Sequence, residues 1–589
     1  SNPLYLLSEV SPVPETRKAA EACVLKLSAL DNEIFQSNAL YQRFRVFKPG
    51  DAIDRMARKT MLEQFEDRGV NLPKKKRQQA REFFERLDKL QQDFSRNLRD
   101  NQTRLSFTAA ELTGVAKDFL ERAKRDEQGR YLIGFDAPET DAILGYAENE
   151  EVRRRYQYEA SRRGTEQNLE ILREVVDIRK QLAELFGYPS YAHWSLRVKM
   201  VERPEVVNKF LSDVAARVEE AEKRELNELA VEKAKFTGQD DAVIQRWDVY
   251  FYQQRLKKNR YAVDPQQVRA QFPTEPTLAW MLNVSSRLYG IEFRANADLP
   301  VWHPEVRGYD VYESASKKYI ASFYLDLFPR EGKYKHAAAF GLRGVSLADR
   351  RMPASALVTN FSRDGFDQNE LETLFHEFGH ILHGVLSKTR YLMHAGTAVR
   401  RDFVEAPSQM YEEWARRPES LRLFNETCPE CKPIDMQLIQ RMQQARQFGQ
   451  AIKYARQRLF AAYDMRLASD NPGEPLKVWA DMEGKTVIGY VPGTQFPGTF
   501  GHIIGGYAAG YYGYMWSEVL ALDMLSAFDK NLMDEKVARR YRQIILENGG
   551  QKPPMQLVRS FLGRKPSPTA FFNEITGQRG RPLTSNMQP

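Results

Sequence analysis

The chain has 589 residues, of which 42% are hydrophobic and 28% are charged, a composition typical of a large globular protein with an ample core. Its 87 basic and 79 acidic residues leave a net charge of +8, an excess too small at this length to predict a nucleic-acid partner. No apolar run is long enough to span a membrane, so no membrane partner is predicted either.

The N-terminus lacks the basic and apolar segments of a signal peptide, which favours a cytoplasmic protein. Ser1 and Asn2 resemble the scar of a cleaved tag, so periplasm or an organelle is the alternative if a targeting segment was removed. Three cysteines argue against a disulfide scaffold and suit a reducing compartment. Cys428 and Cys431 form a lone CxxC, which predicts a loop with two incidental thiols.

The first part of the chain predicts long helices. Apolar residues recur at helical spacing through 15–120, and a short strand is predicted within 129–135. A second helical tract covers about 148–235, and glycine and proline predict breaks in it at 187–190 and 203–204.

Strand-like sequence is concentrated ahead of residue 366. Segments 309–312, 319–327 and 353–361 have the aromatic and β-branched content of strands and predict a small sheet. We expect 354–360 to be an edge strand that hydrogen-bonds an extended peptide backbone.

Residues 366–387 read FDQNELETLFHEFGHILHGVLS and predict a buried helix that starts with a capping box of Asp367 and Glu370. The helix contains an HExxH motif, which places His376 and His380 one above the other on one face, where both imidazoles can bind one zinc ion. Glu377 then lies beside the open position of the metal, where it can take a proton from a zinc-activated water.

A catalytic zinc needs a third protein ligand. The metzincin pattern fails, because His383 and Leu386 stand where it requires glycine and histidine. Glu405, with 24 residues between it and His380, suits a ligand on a second helix packed beside the first. Asp402 is predicted to accept the outward N–H of a zinc histidine, with a helix cap or an ion pair as its alternative role.

Residues 501–516 read GHIIGGYAAGYYGYMW and form a second segment with many residues that can bind substrate or take part in catalysis. Glycines let the backbone approach a ligand, and phenolic O–H groups or an imidazolium can stabilise the oxyanion formed when a peptide is hydrolysed. The alternative is an aromatic-rich start of a helix that packs in the core.

The HEFGH and RDFVEAPSQ segments, followed by this Gly/Tyr segment, resemble the thimet oligopeptidase family of zinc metallopeptidases, which includes neurolysin and bacterial oligopeptidase A. The resemblance covers essentially the whole chain. It implies that His376, His380 and Glu405 bind one Zn²⁺ per chain and that Glu377 is the general base. It also implies that four residues of the Gly/Tyr segment contact the substrate: His502, Tyr507, Tyr511 and Tyr514. Of these, His502, Tyr511 and Tyr514 are implied to be catalytic, with Tyr511 and Tyr514 as the oxyanion donors.

The resemblance implies a mainly α, two-lobed helical zincin of the gluzincin type, with a small β-sheet beside the active site and a deep channel between the lobes. We expect a mostly helical region 1–240 that contributes to both lobes and a region 241–345 of helices and strands that borders the channel. The catalytic zinc-peptidase region is expected at 346–576, and the polar tail 577–589 is expected to fray.

The expected function is that of a zinc-dependent endopeptidase, which hydrolyses internal bonds of short oligopeptides by attack of a zinc-activated water. Release of C-terminal dipeptides, as by a dipeptidyl carboxypeptidase, is the alternative. A peptide-binding module without turnover is the other possibility, and the intact Glu377 argues against it. We expect a monomer whose partners are short peptides.

Overall fold

The computed structural model describes residues 2–528 and 531–577 and is mainly helical, as predicted. Helix α5 shows why: its residues Ala80, Phe84, Leu90 and Phe94 are buried on one side, while its other faces carry charges. The helices that precede the first strand are α1 (Asn2–Val10), α2 (Pro14–Phe35), α3 (Asn38–Val46), α4 (Ala52–Asp67) and α5 (Lys74–Arg99).

A small antiparallel sheet follows, with strands in the order β1–β3–β2. The strand predicted within 129–135 is β3 (Tyr131–Ile133). The predicted breaks in the second helical tract are also present, since Gly187 has a φ of 79° and Pro204 is the first residue of a helix. The elements of this part are β1 (Leu105–Phe107), α6 (Lys117–Arg122), β2 (Lys124–Arg125), β3, α7 (Ala137–Tyr146), α8 (Glu150–Arg162), α9 (Thr165–Leu185), α10 (Tyr191–Leu196) and α11 (Pro204–Thr237).

The larger sheet has the strand order β4–β5–β6–β8–β7, and its neighbouring strands are antiparallel except for the parallel pair β6 and β8. The helix α15 packs on one face of this sheet, and α1 packs on β7. The elements of this part are α12 (Val249–Tyr261), α13 (Pro265–Gln271), α14 (Thr274–Tyr289), β4 (Ile291–Ala295), β5 (Arg307–Glu313), β6 (Tyr319–Asp326), β7 (Ala338–Arg343) and β8 (Ala354–Val358).

The prediction that 354–360 forms an edge strand was wrong. Strand β8 lies between β6 and β7, and β7 is the edge strand on that side of the sheet. The sequence of β7, AAFGLR, lacks β-branched residues and includes a glycine, so composition did not identify it as a strand.

The motif helix α15 (Gln368–Val385) begins with the predicted capping box, in which the side chains of Asp367 and Glu370 each accept the backbone N–H of the other. No helix in the described ranges has the length and apolarity that crossing a membrane requires. Of the predicted tail, residues 578–589 lie outside the described residues. The later helices are α16 (Glu405–Tyr411), α17 (Pro418–Thr427), α18 (Met436–Gln447), α19 (Gln450–Leu467), α20 (Pro475–Glu483), α21 (Gly513–Leu525), α22 (Glu535–Ile544), α23 (Pro554–Leu562) and α24 (Thr569–Ile575).

Among the described residues, the buried side chains form two large cores. One contains the buried face of α15 with the larger sheet, α14 and α22, and we call it the motif core. The other contains α9, α11, α19 and much of the Gly/Tyr segment, and we call it the tyrosine core. The two cores meet where α16 packs on α21, a helix with buried residues in both cores. The boundaries predicted at 240 and 345 stay predictions.

The prediction of two free thiols at Cys428 and Cys431 was also wrong, because the structure joins them in a disulfide. Helix α17 ends at Thr427 with Cys428 as its C-cap, and the Cys431 N–H then donates to the Cys428 carbonyl at 3.1 Å. This tight turn brings the two Cα atoms to 5.3 Å, a separation that a disulfide can bridge.

Candidate active site

The motif helix brings its two histidines to one glutamate of α16. The Nε2 atoms of His376 and His380 lie 3.2 and 3.0 Å from Oε2 of Glu405. Ligand atoms held about 2.0–2.1 Å from a zinc ion at tetrahedral angles are about 3.3 Å apart, so this donor set fits one zinc ion. The structure therefore brings together the three predicted ligands.

Close packing of α15 on α16 makes this geometry possible. A Cβ atom at Gly379 would lie 2.7 Å from Cα of Ser408, so the motif's glycine is needed where the two helices meet. The Ser408 hydroxyl donates to the Glu405 carbonyl at 3.0 Å and lies 3.2 Å from Glu405 Oε2. Helix contact and hydrogen bonding thus fix the orientation of the Glu405 carboxylate, the predicted third ligand.

The partner of the His376 outer nitrogen is Glu412, whose Oε1 is 2.8 Å from His376 Nδ1. Burial alone would raise the pKa of Glu412, but the charge of Arg416 and the bond to His376 hold that pKa below its usual range. An ionised carboxylate at this position fixes the imidazole tautomer that leaves Nε2 free for a metal. Sequence reasoning missed Glu412.

The structure places Asp402 elsewhere, so its predicted contact with a zinc histidine was wrong. Its carboxylate accepts the backbone N–H groups of Met200 and Val201 at 2.8–3.2 Å and the Tyr512 hydroxyl at 2.9 Å. Asp402 precedes α16 by three residues, and the chain there turns toward the tyrosine core instead of following the α15 face. Asp402 therefore ties the start of the metal-ligand segment to the other core.

Neutral substitutions at Glu412 and Asp402 are expected to have different effects on metal affinity and on stability. Glu412→Gln is expected to weaken metal binding about 10- to 100-fold, because the amide no longer provides a charged acceptor for His376. Asp402→Asn is expected to lower the unfolding temperature without a comparable loss of metal affinity. Competition with a chelator measures the affinity, and equal losses in the two variants would contradict the assignment.

The general-base candidate Glu377 is buried beside the two histidines and under the edge strand. Burial raises the pKa of Glu377, and the charges of His376 and His380 and the backbone N–H of Ala339 oppose that rise. A buried carboxylate with a raised pKa is a stronger base than an exposed one, which suits a group that accepts a proton from water.

The tyrosines of the Gly/Tyr segment reach the same place from the opposite core. The Tyr507 hydroxyl donates to the second carboxylate oxygen of Glu405, and the Tyr507 ring stacks on Tyr514 with ring centres 5.1 Å apart. The His502 ring lies 5.4–6.0 Å from the rings of Tyr507, Tyr511 and Tyr514. Burial lowers the pKa of His502, so at neutral pH it is a neutral hydrogen-bonding group and not an imidazolium.

A buried clamp holds the turn that carries these tyrosines. The Asp464 carboxylate accepts the backbone N–H groups of Ala509, Gly510 and Tyr511 at 2.8–2.9 Å. The Lys199 ammonium donates to the Ala509 carbonyl at 2.6 Å, and burial lowers the pKa of this lysine to about 8. Sequence reasoning missed both residues, which lie 45 and 310 positions before Ala509.

A helical fold with HExxH on one helix, a glutamate ligand on the next and a buried glutamate between the histidines defines a metallopeptidase of the zincin class. Comparison with known proteins supports the assignment to the metallopeptidases. Residues 143–576 match peptidase family M3, and the chain belongs to that family.

Among curated relatives, oligopeptidase A of Salmonella typhimurium is 34% identical over 610 residues, which cover 97% of this chain and 89% of that protein. Saccharolysin of Saccharomyces cerevisiae is 30% identical over an alignment that covers 98% of this chain and 86% of saccharolysin. A solved structure of PZ peptidase A with an inhibitor superposes with a TM-score of 0.62 at 13% identity, covering 98% of this chain and 89% of that one. This last likeness concerns the fold alone.

Proposed function

We propose that this chain is a zinc-dependent endopeptidase that cleaves internal bonds of short oligopeptides. The observation that carries the proposal is the convergence of His376, His380 and Glu405 on one point beside the buried Glu377. The names of the relatives, which are oligopeptidases over nearly the same length, support oligopeptides as the substrate class.

A zinc ion bound by these three ligands would act as a Lewis acid that polarises the scissile carbonyl and makes an attacking water more acidic. Glu377 accepts the proton of that water and then donates it to the leaving amine. Tyr511 and Tyr514, with His502 beside them, donate hydrogen bonds toward the developing oxyanion, and Tyr507 orients Glu405. We propose that the protein acts as a monomer on short peptides.

We propose the cytoplasm as the compartment, with periplasm or an organelle as the alternative. Few cysteines support a reducing compartment, although the Cys428–Cys431 disulfide would be more stable in an oxidising one.

Mass spectrometry of defined peptides, some with amidated C-termini, tests the proposed function. Wild type is expected to cut internal bonds whether or not the C-terminus is blocked, to stop after chelation and to recover when zinc is added. Strict release of dipeptides from unblocked peptides would instead establish a dipeptidyl carboxypeptidase. Binding of peptides by the zinc-loaded protein without any cleavage would leave a peptide-binding module.

The proposed oxyanion donors can be tested by removing one hydroxyl at a time. Tyr511→Phe and Tyr514→Phe are each expected to lower kcat about 10²- to 10³-fold with a smaller change in KM, because the lost bond is made in the transition state. Tyr512→Phe is the matched control, since its hydroxyl binds Asp402. If Tyr512→Phe lowers kcat as much as the other two, the assignment of oxyanion donors is wrong.

A further inference from the structure

A groove leads away from the metal-ligand site along the edge strand β7. Its volume is about 650 Å³, and it runs from His380 past residues 339–344, with 395–398 among its other lining residues. A Cβ atom at Gly341 would meet nothing within 4 Å, so the space beside the strand is open there. The groove is large enough for several residues of an extended peptide.

The backbone of β7 can pair with such a peptide. Among the described residues, no strand pairs with the outer side of β7, which is the edge of the sheet. Ala339, near the start of β7, lies on the catalytic side, because it lines the groove together with His380 and because β7 packs on the motif helix α15. An extended segment paired with β7 would therefore pass by the HExxH motif and continue toward the far end of the strand.

Two arginines lie at that far end. Arg343 ends β7 just after a register shift in its pairing with β8, and Arg351 lies on the other arm of the same hairpin, before β8. The bulge places Arg343 opposite Ala354, on the face of the sheet that packs on α1, so Arg343 lines the groove from the α1 side. Among the described residues that line the groove, these are the only arginines or lysines, and none is an aspartate or glutamate. Both side chains are exposed, and neither forms an ion pair or side-chain hydrogen bond within the described chain.

We propose that Arg343 and Arg351 form a subsite for a carboxylate of the substrate, supplied by an acidic side chain about three or four residues from the cleaved bond. Arg343 follows Ala339 by four residues, a distance of about 13 Å along a strand. A peptide that pairs with β7 residue by residue covers the same distance, less what the bulge removes. The inference rests on the proposed peptidase function and adds a substrate preference to it.

A free C-terminus at the same distance offers the same chemistry and is the other possible source of the carboxylate. The two-residue leaving group of a dipeptidyl carboxypeptidase spans only about 7 Å, so this subsite is too distant to anchor it. The two sources can be distinguished, because Glu→Gln removes the side-chain carboxylate and amidation removes the C-terminal carboxylate.

The test uses zinc-loaded protein and a neutral peptide with one strong cleavage site, amidated at its C-terminus. A single glutamate, or glutamine as its neutral match, is placed at each position from five residues before the bond to five after it. Wild type is expected to prefer glutamate about fivefold in kcat/KM at the position facing the arginines, and the preference should shrink at high salt. A parallel set with free C-termini at each distance measures the contribution of the terminus.

Arg343→Gln/Arg351→Gln is expected to abolish the preference and to leave cleavage of the neutral peptide unchanged. Arg343→Glu/Arg351→Glu should favour lysine over glutamine at the same position. Arg294→Gln is the matched control, because this exposed arginine lies on β4 at the opposite edge of the sheet.

The outcomes separate the two proposals. A preference for a free terminus over an amide, lost in the double glutamine variant, supports the subsite and assigns the carboxylate to the terminus. Equal cleavage of all charged and neutral peptides by wild type, or a preference that survives the double variant, overturns the subsite while the peptidase function stands. Failure to cleave even the neutral peptide overturns the proposed function, and the subsite with it.

Discussion

Replacing Glu377 with glutamine is expected to lower kcat by roughly a hundred- to ten-thousandfold, the range that general-base groups contribute. Glu377 is only 8% exposed and is held between the two motif histidines and the edge strand. Glutamine has the same shape, so the packing of α15 is kept, but its amide cannot accept a proton from water. Peptide binding and metal content should stay near those of wild type.

Steady-state kinetics, metal analysis and peptide binding together check this expectation. Glu372→Gln is a useful control, because Glu372 lies on the same helix and reaches His376 only indirectly, through Arg416 and Glu412. If Glu377→Gln also loses its metal, the lost activity no longer assigns the base. If it keeps both metal and activity, the proposed role of Glu377 is wrong.

The parts of the site that sequence predicted are those with a local signature. His376, Glu377 and His380 share one helix, and helical spacing alone sets how they face a metal. Glu405 was predicted from its distance along the chain together with the family resemblance, and the structure places it beside both histidines. Local periodicity likewise predicted the main helices and the strands around residues 309–327.

That Glu412, and not the predicted Asp402, contacts His376 could not be deduced from the sequence pattern. Glu412 follows Glu405 by seven residues, close to two helical turns, and so comes to the same side of the chain as the metal ligand. Asp402 lies before α16 starts, where no helical phase relates it to Glu405. Once the start of α16 is known, the partner of His376 can be deduced.

The edge strand and the clamp depended on contacts between distant parts of the chain. Strand β7 is an edge because β8 inserts beside β6, an order that composition does not encode. Asp464 and Lys199 lie on other elements than the turn they hold, and as single charged residues in long helical tracts they resembled ordinary surface positions. Their role in holding this turn follows from their burial and their hydrogen-bond partners in the structure.

Replacing Asp464 with alanine is expected to cost about 3–5 kcal/mol of folding free energy, the typical loss when one partner of a buried charged network is removed. Three backbone N–H groups would lose their acceptor, and the buried Lys199 would lose a nearby negative charge. The turn is also strained, since Ala509 has a φ of 46°, a left-handed conformation that is unfavourable for alanine. Without the carboxylate, the bond from the Lys199 ammonium to the Ala509 carbonyl remains, but the Ala509 N–H loses its acceptor.

The same change is expected to lower kcat in molecules that remain folded, because Asp464 binds the backbone N–H of Tyr511, a proposed oxyanion donor. Thermal unfolding measures the stability, and kinetics well below the unfolding temperature measure the catalytic effect. Asp523→Ala separates the two effects, since Asp523 is also buried but binds Arg564 and the Ser567 N–H, at the other end of α21. If both variants lose stability and only Asp464→Ala loses kcat, the clamp positions the tyrosines. Equal loss of kcat in the two variants would show that Asp464 contributes to stability alone.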